Sequence, residues 1–240
     1  VMALLSAIII TLTKRSGPHI RYKLLSGLLL LFSLIITGIF LYSVNSGFNT
    51  ITSNSNIAGS SLNNIYYAVG VPQQNTITDI LIGFIKLHTD QFVFIWFIVI
   101  CLKCVQLISG LLSLHKLKKR NILQASEYWN ERMKNLATKI SITKPVKLLQ
   151  SSLAKMPMVI GYLKPVILFP AGVLNGLPQN EVEAILLHEL AHIKRNDFII
   201  NLLQQFVEMI FFFNPAVLWV SSLIKNEREN CCDDIAIAVT

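Results

Sequence analysis

Apolar residues come in long unbroken runs in the first half of this 240-residue chain and in periodic patterns in the second. Leu24 to Val44 is 21 residues without a charge, about what an α-helix needs to cross a hydrocarbon core of roughly 30 Å. Phe92 to Leu114 is a second such run, interrupted only by Lys103. Residues 1–13 are apolar but short. In a chain beginning Val-Met they read as what remains of an earlier span whose start is lost, with a signal-peptide core as the weaker alternative. The pattern predicts a mainly α membrane protein, with about three N-terminal transmembrane helices within residues 1–120.

Beyond residue 120 the periodicity changes. Ser126 to Ile140 places Trp129, Met133, Leu136, Ala137 and Ile140 on one helical face. Short β-like runs follow at Val146–Leu149, Pro157–Ile160 and Pro165–Phe169, separated by Lys, Gly and Pro, and predict a small sheet. An edge strand there would pair with an extended peptide, although a plain packing sheet reads the same way. A helix over about 178–195 comes next: Pro178 opens it, Glu181 and Glu183 suit its positive end, and Lys194 and Arg195 suit its negative end. Phe198 to Ile224 is again apolar, with Glu208 its only charge, and Asn214-Pro215 breaks it. A helical hairpin over 198–224, buried or dipping into the bilayer, fits better than two full crossings.

Composition sharpens the membrane reading, since 53% of residues are hydrophobic and only 14% charged, against about 25% charged in soluble domains. Charge placement then orients the spans. Lys14, Arg15, Arg21 and Lys23 lie before the 24–44 span, and Lys116, Lys118, Lys119 and Arg120 follow the 92–114 span, so both basic segments are expected in the cytoplasm. Residues 45–90, poor in charge and rich in Asn, Ser and Thr, are expected to be an external loop, and 121–240 a cytoplasmic domain. The net charge of +8 is then a topology signal, and no direct nucleic-acid binding is expected. Cys101, Cys104, Cys231 and Cys232 fit no disulfide framework, and the 101–104 spacing lacks the βαβ setting of a redox motif.

The chemistry sits at His188-Glu189-Leu190-Ala191-His192. On a helix these imidazoles share one face, so both can hold one Zn²⁺, and Glu189 beside them can act as general base on a water made acidic by the metal. A catalytic zinc needs a third protein ligand and an open position. Glu229 is the best candidate. It lies in the only acidic cluster, Glu227 to Asp234, with Asp233 four residues on to accept a hydrogen bond from a ligand imidazole. Glu227 is its rival, and thiolates of Cys231 or Cys232 are a weaker choice.

The order of several motifs carries more than any one of them: Arg21-Tyr22; Gly161-Tyr162-Leu163-Lys164-Pro165 leading to Phe169-Pro170; Leu177-Pro178; the His-Glu-x-x-His segment; Arg195-Asn196-Asp197; Phe213-Asn214-Pro215; and Glu227-Arg228-Glu229 through Cys232-Asp233-Asp234. Together they resemble the BlaR/MecR-type membrane metallopeptidases over nearly the whole chain. The resemblance implies a bacterial inner-membrane protein whose cytoplasmic α+β domain follows the gluzincin plan, with His188, His192 and Glu229 as zinc ligands, Glu189 as general base and Asp233 supporting. It also implies a protein substrate, a transcriptional repressor in the best-known members, which sense β-lactams through an extracellular domain. No segment here corresponds to that sensor, so β-lactam sensing does not carry over.

The leading expectation is a membrane-embedded zinc endopeptidase acting as the output of a signal. A quality-control or maturation protease is the second. A receptor or scaffold with a structural zinc site is the third, set apart by signalling that survives Glu189→Gln.

Overall fold

A computed structural model describes residues 2–53, 77–118 and 122–239. Residues 54–76 of the expected external loop, and Lys119 and Arg120 of the basic segment, lie outside it. The described chain is mainly helical, with two helices long and apolar enough to cross a membrane and one small mixed sheet. Helix α1 spans Met2–Leu12, α2 Pro18–Ser53, α3 Ile77–Leu87 and α4 Thr89–Leu117. The candidate spans are Pro18–Ser46 and Thr89–Leu114, with mean hydropathies of 2.6 and 2.4. Only 11% and 0% of their most apolar stretches are buried within the protein, which is unlike the core helix of a soluble domain. Both ends of the interval read as an external loop are helical, since α2 runs on to Ser53 and α3 precedes α4.

The chain divides into two compact units, 1–31 with 103–240 and 32–102. In the second, Leu34, Phe40, Leu81, Phe94 and Phe97 turn large apolar side chains outward. The first takes in the start of α2, whereas the sequence reading divides the chain at 120. Arg21–Glu227 and Tyr22–Arg195 contacts tie that start to residues far along the chain.

Within the first unit the sheet is built from β1 (Ile122–Gln124), β2 (Lys147–Ser151), β3 (Met158–Ile160) and β4 (Val166–Pro170), in the order β1-β2-β4-β3. Strand β2 runs parallel to β4, while β1 and β3 are antiparallel edges. Central β4 explains the continuous apolar run Val166–Phe169, buried on both faces. Helices α5 (Glu127–Lys139) and α7 (Gln179–Arg195) share a core with it, in which Trp129, Met133 and Leu136 meet Leu148, Ile167 and Phe169, with Val182, Leu186 and Leu190 alongside. The bidentate pair Arg132–Glu183, at 2.7 and 2.8 Å, adds a rim contact between α5 and α7.

A one-turn helix, α6 (Val173–Gly176), precedes α7, which starts one residue after Pro178 and ends at Asn196, in the left-handed region at φ 58°. Helix α8 (Asp197–Ile210) follows at once, and α9 (Pro215–Ile237) returns after the Asn214-Pro215 break. Asn214 caps α9 by accepting from the backbone N–H of Ala216 at 3.0 Å, and Pro215 sits where no helical N–H is required. The second arm does not stop near Ile224. With no Gly or Pro from Lys225 to Ile237, one helix carries both the hairpin arm and the acidic cluster.

Candidate metal centre

The candidate metal centre is assembled by α7, the α7–α8 joint and α9. Val182, Leu186 and Leu190 press one side of α7 into the core, which leaves His188 and His192, one turn apart, facing α9 with ring centroids 5.0 Å apart. Glu229 meets them there. Its Oε2 lies 3.5 Å from Nε2 of His188 and 3.5 Å from Nε2 of His192. Both imidazoles thus turn the same nitrogen toward one carboxylate oxygen, and donor atoms of the three residues fall within 4.8 Å of one another. Two nitrogens and one oxygen are a donor set that zinc takes, with room for a further position.

Each imidazole is held from behind. Nδ1 of His188 donates to Asp233 Oδ1 at 2.8 Å, and Nδ1 of His192 donates to Asp197 Oδ2 at 2.9 Å. A carboxylate on Nδ1 fixes the tautomer that leaves Nε2 free as a ligand. Asp233 lies on α9, one turn beyond Glu229. Asp197 is the residue that helical spacing misses: five positions beyond His192, it would lie about 140° around a straight helix. The left-handed Asn196 ends α7 and turns Asp197 back onto the ring. The Arg195-Asn196-Asp197 motif held the signal, since Asn is among the few residues that adopt this conformation readily.

Glu227 Oε1 pairs with Arg21 Nε at 2.8 Å, away from the donor cluster. Cys232 lies on the Nδ1 side of His192, with Sγ 3.3 Å away and 3.5 Å from Asp197. Burial pushes both the Cys231 and Cys232 thiols up, against the pull of neighbouring cations, while His192, Asp197 and Cys232 bring donor atoms within 4.8 Å of one another as a second such group among the described residues. Arg228 braces the centre by donating to Glu229 Oε1 at 3.3 Å and to Asn201 on α8 at 3.2 Å.

Electrostatics follow the same layout. The two imidazoles hold the Glu229 carboxyl far below its ordinary range. Hydrogen bonding to Glu229, reinforced by Asp233, outweighs burial and raises His188. For His192 burial opposes charge most strongly, yet Asp197, Cys232 and Glu229 together push it up to about 12. Glu189 is buried, and that burial lifts its carboxyl against the pull of His192 and His188.

His188, Glu189, His192 and Glu229 line one wall of a cleft of about 520 Å³. Met158 and Val159 of edge strand β3, with Gly161 and Tyr162, line it as well. A model of the BlaR1 peptidase M56 family matches residues 1–240. The chain belongs to that family of metallopeptidases. Similar relatives include the Methicillin resistance mecR1 protein of Staphylococcus aureus, 30% identical over 213 residues that cover 86% of this chain and 36% of the relative. The Regulatory protein BlaR1 of Bacillus licheniformis is 27% identical over 148 residues, covering 62% of this chain and 24% of that protein. The chain therefore spans about a third of the length of the mecR1 relative and less of BlaR1.

Proposed function

We propose that this chain is a membrane-embedded zinc endopeptidase that cuts a cytoplasmic or membrane-proximal protein, a transcriptional repressor in the simplest case, as the output of a signal. The carrying observation is the convergence of His188, His192 and Glu229 beside buried Glu189, at the wall of an open cleft. Its peptidase domain, residues 121–240, is gluzincin-like and faces the cytoplasm of a bacterial cell, behind about three membrane spans. Support for this orientation comes from Arg21, which belongs to the basic segment expected inside the cell and touches Glu227, two residues from Glu229. A regulatory role is in keeping with the BlaR1 relative's name.

Nε2 of His188, Nε2 of His192 and a Glu229 oxygen would hold the zinc. When bound, zinc supplies a Lewis acid for the peptide carbonyl and lowers the pKa of water to about 7. Glu189 then does the proton work: a carboxylate oxygen accepts the water proton and returns it to the leaving amine. Its raised pKa suits both halves of that transfer. Asp233 and Asp197 keep the imidazoles oriented, and β3, an edge strand among the described residues, offers its backbone to an extended substrate.

The test is metal analysis of the purified chain together with a Glu189→Gln form used to trap substrate in cells. About one zinc per chain in both forms, with cleavage lost only in Glu189→Gln, is expected. Absence of stoichiometric zinc, or full proteolysis by Glu189→Gln, overturns the reading.

A further inference from the structure

The residues around His192 do not end with the peptidase helices. Arg195, at the last turn of α7, brings Nε within 3.3 and 3.4 Å of the two oxygens of Asp197, the carboxylate that holds His192. The Arg195 guanidinium in turn stacks on the ring of Tyr22, 4.5 Å from its centroid. Tyr22 belongs to α2, at the start of a helix apolar enough to span a membrane, and is 6% exposed. One residue away, Arg21 donates to Glu227 on the turn of α9 that carries Glu229. Tyr22 therefore reaches His192 through two intermediaries, Arg195 and Asp197, while its neighbour Arg21 anchors α2 to α9.

Contact geometry indicates which part of Tyr22 matters. Among the described residues neither its buried hydroxyl nor Nη1 of Arg195 meets a partner in good hydrogen-bond geometry, while the guanidinium lies over the ring itself. The contact that the geometry does show is between the guanidinium and the ring face of Tyr22. A planar guanidinium over an aromatic ring uses both flat surfaces, which the ammonium of a lysine cannot reproduce. Asp197 is 4% exposed, so little water competes for its orientation. The Arg195 side chain is 10% exposed and, with His192, faces that carboxylate.

We infer that Tyr22 and Arg195 are positioning residues for His192, so that the start of α2 is a working part of the metal centre. The Tyr22 ring fixes the plane of Arg195, Arg195 fixes the carboxylate of Asp197, and Asp197 fixes the Nδ1–H of His192. A displacement of α2 then alters the direction of one zinc ligand without touching the ion. This rests on the zinc reading proposed above.

The test measures zinc affinity by chelator competition, and visible absorption of the Co²⁺-substituted protein, on the full chain in detergent. Tyr22→Phe keeps the ring and is expected to match the parent in both. Tyr22→Leu is expected to weaken zinc by about tenfold, the lower end of what losing an outer partner of a metal ligand costs, and to shift the Co²⁺ bands. Arg195→Lys keeps the charge but not the plane and is expected to act in the same direction, so it decides alone if Tyr22→Leu does not fold. Parental affinity and spectrum in folded Tyr22→Leu and Arg195→Lys overturn the proposal, as does a Tyr22→Phe protein as impaired as Tyr22→Leu. Failure of the parent chain to bind zinc overturns the zinc reading instead.

Discussion

Replacing Asp197 by Asn is expected to damage the metal centre more than the same change at Asp233, although each carboxylate holds one imidazole. The distances are nearly equal, 2.9 Å at Asp197 and 2.8 Å at Asp233. Burial separates them, since the Asp197 side chain is 5% exposed and that of Asp233 58%. Around Asp233 water screens the charge and replaces a lost hydrogen bond. At Asp197 the effective dielectric is nearer 20 than 80, so each charged interaction is about fourfold stronger. Asp197→Asn also strips Arg195 of its partner and offers His192 an amide that can bind in the wrong sense. Losing such support costs about 10- to 100-fold in metal affinity, or about 1.4 to 2.7 kcal/mol. Asp197→Asn belongs near the upper limit and Asp233→Asn at or below the lower. Chelator competition on the two variants, with thermal unfolding in zinc and in chelator as a check on folding, measures both. Equal losses, or a larger loss at Asp233, would refute the claim that burial sets the strength of these supports.

Gly161 follows β3 at the cleft with φ 93°, and a Cβ there would meet the Lys164 carbonyl at 3.4 Å. Gly161→Ala is expected to destabilise the unit by about 1 kcal/mol or more in a denaturant titration and to weaken peptide binding more than zinc binding. Phe169→Ala empties the fully buried centre of β4 and should cost about 3 to 5 kcal/mol in the same titration. Arg132 holds the Glu183 carboxyl below its ordinary pKa, so this pair stabilises the fold above the usual carboxylate range and the contribution fades as pH falls through the lowered value. Glu183→Gln should therefore lower the unfolding temperature slightly at neutral pH and progressively less as pH falls below the usual carboxylate range, and an effect that does not shrink with acidification would refute the assignment.

What was legible in the sequence was the chemistry that regular helices arrange. His188 with His192, and Glu229 with Asp233, are both i, i+4 pairs, so each half of the centre follows from α-helical spacing alone. The Asn214-Pro215 break was legible too, because proline cannot continue a helix. Three features were not. Asp197 reaches His192 only because Asn196 reverses the chain. Strand β1 has three residues and is defined by its pairing with β2, some 27 positions on, not by any pattern of its own. The start of α2 and the middle of α9 meet through Arg21 and Glu227, 206 residues apart, and periodicity does not register contacts at that separation.

An unbroken α9 sets a constraint on length. From Pro215 to Glu229 the helix has no hinge, and at 1.5 Å per residue it measures about 21 Å. One residue inserted after Ile224 would turn Glu229 by about 100° around the axis and carry it off the imidazoles, while the Asn214 cap stayed in place. The distance from cap to ligand thus behaves as a fixed gauge, within which a change in chain length is not tolerated.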